Sequence, residues 1–422
     1  MSSQAILIIY LSFFAAEFIF ENFLTFLNIN SVVKHRGKVP EIFKEYIAPE
    51  KFELSTEYTL ARSRFSLLTS AISAILLLFI VLSGALGIID TWVKALSIPG
   101  YLHGIVYIFI ISLVFKFISL PFSLYSQFVI EARFGFNRMT IPLFFLDLLK
   151  GVLVSAVIML PLLAGLFWFM DRAGEYWWSL AFAFIVVFQL LITILYPLVI
   201  APLFNKFTPL EDGPLKEKLE NLAGKLSFKT KGIFVMDGSK RSKHSNAYFT
   251  GLGRSKRIVL FDTLVKLFTP DELSAVLAHE IGHAKRRHVV KGLVLSLALM
   301  CAGLFIVSLL LHVEPLFKAF GFSRPSNYGI LVVLSFCSGP FTFFLTPLFT
   351  AWSRKHEYEA DRFAVDATGG ADGLKNALIT LGKDNLSNLT PHPLYSFYHY
   401  SHPTLGERIK AIEKYAAVGT SS

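Results

Sequence analysis

Residues 279–311 read HEIGHAKRRHVVKGLVLSLALMCAGLFIVSLLL. Two histidines four apart bracket a glutamate. A burst of positive charge follows, and then an apolar run with Lys291 as its one charged residue. About 20 apolar residues are enough for a helix to cross a bilayer. A helix carrying chemically capable side chains therefore runs straight into a segment built for lipid. Either the first half is a metal site at a membrane surface, or it is the charged end of a span.

The rest of the chain supports a membrane protein. Of 422 residues, 54% are hydrophobic, 15% aromatic and only 17% charged, where a soluble domain carries about 25% charged residues. Seven segments are long and apolar enough to span: about 5–27, 66–89, 101–124, 151–170, 176–200, 289–311 and 328–351. The first is interrupted by Glu17 and Glu21. It has neither a basic n-region nor a small-residue cleavage site, so a helix rather than a cleaved leader is expected.

Lysine and arginine set the orientation. With the N-terminus outside, the outer connections hold 4 of them and the inner ones 34. Basic residues gather on the cytoplasmic side. That places 28–65, 125–150, 201–288 and 352–422 inside. The net charge of +10 suits an anionic inner leaflet and gives no reason to invoke nucleic acid. The cysteines, Cys301 and Cys337, fall in expected spans, form no metal motif and read as small core residues.

Among the inner segments, 28–65 suggests short amphipathic helices. In 201–288, GPLKEKLENLAGKL has helical spacing and GIFVMDG reads as a strand and turn. SNAYFTGLGRSKRIVLFDTL reads as two strands joined at GLGRSK. Thr269, Pro270 and Glu272 then form an N-cap, a first-turn proline and a capping box, so a helix starts near 270 and contains HEIGH.

On that helix His279 and His283 share one face and can both point at one metal ion, with Glu280 beside them. This is the H-E-x-x-H spacing of zinc peptidases, in which the glutamate is the general base that activates water. Catalytic zinc usually has three protein ligands. SRKHEYEADRFAVD supplies Glu357 and Asp361, four apart on one helical face. Glu357 lies far from His283 in sequence, but two spans lie between them. A hairpin out and back returns the chain to the face it left, whereas one span or three would not. Asp361 then suits the role of a partner holding a ligand histidine's other ring nitrogen. A helix end anchoring a span would explain Lys285, Arg286, Arg287 and His288. It would not explain histidines on the apolar side of VLAHEIGHA. EYEAD taken alone is an ordinary acidic helix face.

GSKRSKHSNAYFTG, RIVLFDTL, HEIGH, EYEAD and YSHPTLGERIKAI occur in this order, with seven spans around them. The chain resembles the type I CAAX prenyl protease family, integral-membrane zinc endopeptidases of the gluzincin type. It resembles the smaller heat-shock membrane proteases of the same clan less closely. The resemblance implies a mainly α, integral-membrane fold. Seven transmembrane helices would form a chamber, with a cytoplasmic α+β gluzincin-like zinc peptidase domain. Residues 1–200 would supply five spans and 289–351 two more. Residues 201–288 and 352–422 would supply the catalytic parts.

The resemblance further implies one Zn2+ per chain, held by His279, His283 and Glu357. Glu280 would activate water, and Asn246 on an edge strand would bind substrate backbone. His402 and Arg408 would stabilise the tetrahedral intermediate. Taken singly, Asn246 is a turn residue, His402 before Pro403 a helix start and Arg408 a surface residue. His244, His288, His356, His392 and His399 receive no role. The sequons at Asn385 and Asn388 lie on the inner side, where no glycan is expected.

Glu17, Glu21 and Glu131 are costly in lipid, so a wet interior or a partner is expected for each. The expected partners are a polypeptide substrate, prenylated in the family's eukaryotic members, and the bilayer, with a monomer favoured. The expected location is the endoplasmic reticulum or a bacterial inner membrane, according to source. A quality-control protease without prenyl substrates, and a seven-span transporter or receptor, are the competing functions.

Overall fold

The computed structural model describes residues 1–250 and 257–419. Seven helical stretches are long and apolar enough to cross a membrane: Ser3–Lys34, Pro49–Leu82, Gly100–Arg133, Ile141–Arg172, Gly174–Phe204, His288–Leu310 and Asn327–Thr368. Most are longer than the apolar runs that announce them. The first has 32 residues, about 48 Å at 1.5 Å per residue, against a hydrocarbon core of about 30 Å. The helices extend further on the side that carries the sheet. Phe52, on the second span, there joins a core with Phe43, Ile47, Ile379 and Ile409. Ser55 donates to the Ser387 carbonyl.

Two expectations about these helices need correction. The second span does not run 66–89. It starts at Pro49, absorbing half of the segment read as short amphipathic helices, and stops at Leu82. Gly84 adopts φ +72°, a left-handed conformation that costs glycine little, and a separate helix Ala85–Lys94 turns away. The seventh span does not stop near 351. After Pro340 one 3₁₀ turn, Phe343–Leu345, re-aims the chain, and helix Thr346–Thr368 carries it on through EYEAD.

At the end of the bundle away from the sheet, Ala85–Lys94 packs on the connection between the last two spans. Leu86, Tyr107, Phe317, Phe320 and Phe322 are almost fully buried there. The Tyr107 hydroxyl donates to the Leu86 carbonyl at 3.0 Å. The backbones meet at glycines: a Cβ on Gly87 would fall 1.8 Å from the Gly321 carbonyl oxygen.

On the other side lies a four-stranded sheet in the order β1-β2-β4-β3. Its strands are β1 (Phe207–Pro209), β2 (Ile233–Met236), β3 (Ala247–Thr250) and β4 (Arg257–Phe261). β2 and β4 are parallel; β3 is antiparallel to β4, with Ala247 opposite Leu260. The GLGRSK turn lies outside the described residues. Ile233, Ile258 and Leu260 bury one face of the sheet with Leu273, Leu277 and Ile281 of helix Pro270–Lys285. That helix begins with the expected capping box. Thr269 Oγ1 accepts from the Glu272 amide, and the Glu272 carboxylate accepts from the Thr269 amide at 2.8 Å.

Charged tethers join the sheet to the spans. Arg241 donates to both oxygens of Asp147, at 2.8 and 3.1 Å, and to Asn205 Oδ1 at 3.0 Å. Glu131 accepts from the Tyr58 hydroxyl at 2.7 Å and lies 3.2 Å from His244 Nε2. The expectation of a partner for Glu131 is met. Glu17 and Glu21 line a cavity of about 460 Å³ with Phe14, Ser70 and Phe336. Glu21 also lies 3.4 Å from His399.

Gly87→Ala should lower the thermal unfolding temperature in detergent, since overpacking of this kind costs about 1–3 kcal/mol. Gly292→Ala, whose Cβ would meet nothing within 4 Å, should leave it unchanged or raise it. Equal melting of the two variants would contradict the close contact at Gly321.

Candidate metal centre

Helix Pro270–Lys285 and helix Thr346–Thr368 pack side by side, and the residues four apart on each come face to face. His279 and His283 look across at Glu357 and Asp361. The two histidine Nε2 atoms are 3.1 Å apart. Glu357 Oε2 is 3.5 Å from His279 Nε2, and Glu357 Oε1 is 3.3 Å from His283 Nε2. The three side chains thus form a triangle in which the two histidines meet different oxygens of the Glu357 carboxylate, and one ligand atom from each residue lies within 4.8 Å of the others. Atoms about 2.1 Å from a tetrahedral metal ion lie about 3.4 Å from one another. The spacing of the two histidine nitrogens and of each from its nearer carboxylate oxygen is close to that figure, so the three side chains could hold one ion. Glu357 Oε2 is also buried with no protein hydrogen-bond partner, a costly state unless something else satisfies it.

The ring nitrogens turned away from the triangle have partners of their own. His279 Nδ1 lies 2.9 Å from Asp361 Oδ1. Asp361 is fully buried and accepts from Arg408 twice, from Nε at 2.8 Å and Nη2 at 2.6 Å. Arg408 sits on the C-terminal helix Leu405–Gly419, and its Nη1 approaches Glu357 Oε2 at 3.7 Å. His283 Nδ1 lies 3.0 Å from His288 Nδ1, and His288 Nε2 lies 3.1 Å from Glu359 Oε2.

Glu280 follows His279 on the same helix. Burial pushes its carboxyl above the usual range, against the opposing pull of His279 and His283. His402 brings Nε2 to 3.4 Å from Glu357 Oε1, while Ser401 Oγ lies 3.0 Å from its Nδ1.

Asn246 stands just ahead of β3, outermost in the sheet among the described residues. Its carbonyl accepts from the Phe261 amide at 3.1 Å, and its Oδ1 caps the Ala247 amide at 2.8 Å. Asn246, His402 and Arg408 all line one cleft of about 590 Å³. The eight site residues expected from the sequence, His279, Glu280, His283, Glu357, Asp361, Asn246, His402 and Arg408, therefore belong to one neighbourhood. His288 and Glu359 were missed. His288 reads as the end of a basic run; what brings it back is the turn at Arg287, φ +58°, which no spacing announces.

The chain matches two family models. One describes the N-terminal part of CAAX prenyl proteases, with five membrane helices, over residues 28–206; the other is peptidase family M48, over residues 209–416. Curated relatives include a CAAX prenyl protease 1 homolog of Oryza sativa, 38% identical over 96% of both chains. CAAX prenyl protease 1 of Saccharomyces cerevisiae is 36% identical over 95% of this chain and 94% of its own. Among solved structures, that of S. mikatae Ste24p matches with a TM-score of 0.90 at 34% identity, covering 96% of this chain and 99% of the other.

Removing one partner of a buried ion pair typically costs about 3–5 kcal/mol. Asp361→Ala and Arg408→Met should each melt earlier by a corresponding margin, and the double variant should lose clearly less than the sum. Additive losses would mean that the two groups do not depend on each other.

Proposed function

The chain belongs to peptidase family M48, as an integral-membrane protease with seven spanning helices, and from that premise we propose that it is a zinc metalloendopeptidase. The metal that this family implies would be held by His279, His283 and Glu357. The observation that carries this is the meeting of His279, His283 and the two oxygens of Glu357 at 3.1–3.5 Å, assembled from two helices that a membrane hairpin separates. When bound, the ion supplies a Lewis acid that polarises the scissile carbonyl and eases deprotonation of water.

The residues of the chain do the remainder. Substrate backbone adds to the free edge at Asn246 and β3, gaining main-chain hydrogen bonds without needing a fixed sequence. Glu280 takes a proton from the attacking water and delivers it to the leaving nitrogen. His402, and Arg408 through its Nη1 edge, face the oxygen on which negative charge develops. Asp361 fixes the ring of His279 and is itself fixed by Arg408.

For substrates we propose C-terminal CAAX sequences after a prenylated cysteine, by extension from the named relatives. The site would face the cytoplasm, as the 34-to-4 bias of basic residues indicates. Residues 201–288 and 352–422 would form the peptidase unit around the hairpin 289–351.

Glu280→Gln should keep zinc and substrate binding but lose about 10²–10⁴ in kcat. His402→Ala should lose about 10²–10³, mostly in kcat. Glu357→Ala should lose most of its zinc, measured by metal analysis of the purified protein. Substantial turnover by zinc-loaded Glu280→Gln would overturn the mechanism. Cleavage of a farnesylated CAAX peptide should far exceed that of its unmodified twin; equal rates would overturn the substrate class.

A cysteine placed at the exposed Lys229 should resist an impermeant thiol reagent on intact cells and react after permeabilisation. Labelling before permeabilisation would reverse the orientation.

A further inference from the structure

The two histidines of the centre are held from behind in different ways. His279 meets a carboxylate directly, at Asp361. His283 meets another imidazole, His288, backed by a carboxylate, Glu359. The difference follows from helix geometry. Glu357 and Asp361, four apart, share one face of their helix, whereas Glu359 lies about 200° around from Glu357. It points away from the triangle and cannot reach His283. Arg287 takes a left-handed conformation, so the chain doubles back. His288, the first residue of the next helix, then fills the gap between them.

The proton count closes with every ring neutral. If His283 turns Nε2 to a metal, its Nδ1 carries hydrogen and must donate. His288 can accept only at an unprotonated Nδ1, which puts its own hydrogen on Nε2. That hydrogen faces Glu359 Oε2 at 3.1 Å. Each link then has one donor and one acceptor. His288 is buried, and its ring stacks on His356 at 3.9 Å and 10°. Trp352 backs His356 in turn, at 4.3 Å. The ring is thus locked in the orientation that the relay needs.

We infer that His288 is a positioning residue that fixes the tautomer and orientation of His283, with Glu359 as its anchor. The inference rests on the metal assignment proposed above. Partners of this kind typically contribute 10–100-fold to metal affinity.

Four substitutions separate orientation from packing. Asn places an acceptor where Nδ1 of His288 stood. Gln places its polar atoms near Nε2 instead and leaves His283 without an acceptor. Phe keeps the stacked ring and loses both nitrogens. Ala removes everything.

Zinc affinity of the full-length protein in detergent, measured by competition with a chromophoric chelator, is the readout. His288→Asn should stay within about threefold of the unaltered protein, while His288→Gln and His288→Phe weaken zinc by about 10–100-fold. Glu359→Ala should weaken it less. Thermal melting reports folding, with His288→Ala as the fully truncated reference. Wild-type zinc affinity in His288→Phe or His288→Gln would show that the ring only fills space, and would overturn the inference alone. An unaltered protein that takes up no zinc would overturn the metal assignment and this inference together.

Discussion

The candidate centre depends on how closely two helices can approach. The glycine of HEIGH makes the contact: a Cβ on Gly282 would lie 3.2 Å from Ala360 Cα and 3.1 Å from the Phe363 ring. Small residues on both helices, with Ala278 and Ala364 also fully buried, bring the backbones together. At that separation, side chains as short as His and Glu reach across to a common point. A bulkier pair would hold the same residues in the same order and leave the triangle open. The spacing of H-E-x-x-H sets where the histidines sit on one helix, but Gly282 and Ala360 set whether Glu357 can join them.

Such a contact must be held against the cost of burying charge. Asp361 is fully buried, and isolated it would carry a large desolvation penalty. The last helix of the chain supplies the answer. Thr404 and Glu407 form a capping box that starts this helix, and Arg408 follows at once. The bidentate geometry on Asp361 is the arrangement in which arginine and a carboxylate bond most strongly, which counters part of the desolvation penalty. Ile409 and Ile412 of the same helix are fully buried, so packing places the guanidinium and the ion pair does not have to. The helix start at 402–404 and the charge at 408 are therefore parts of one device.

Much of this was legible in the sequence because it depends on period and parity. Apolar runs near 20 residues announced seven spans, and the capping box at Thr269 fixed where the HEIGH helix begins. Two spans between His283 and Glu357 put both on one side. What was not legible depends on backbone detail. Gly84 ends the second span inside an unbroken apolar run, because the residues after it pack on the 312–326 connection instead of continuing into lipid. EYEAD read as the start of a tail, yet it lies on helix Thr346–Thr368, which carries the seventh span on after one 3₁₀ turn. His288 looked like a membrane anchor, since hydropathy cannot register a left-handed turn at Arg287. β1 escaped notice because three residues carry no periodicity.

Charge balance bears on the same centre. Glu280, Glu357 and Asp361 bring three carboxylates within one small volume, and Arg408 brings one cation. Neutral histidines, as ligation requires, add nothing. The protein groups alone thus sum to two negative charges in a partly buried site, where like charges repel strongly. A divalent cation at the triangle brings that sum to zero. The same ion would satisfy Glu357 Oε2, the buried acceptor that no protein group serves. Donor geometry, the unsatisfied acceptor and net charge all suit a divalent cation held as proposed above, and all three involve the Glu357 carboxylate. In the mechanism proposed above, Arg408 and His402 would draw the charge that forms on the carbonyl oxygen, and Glu280 would draw the proton that leaves the water.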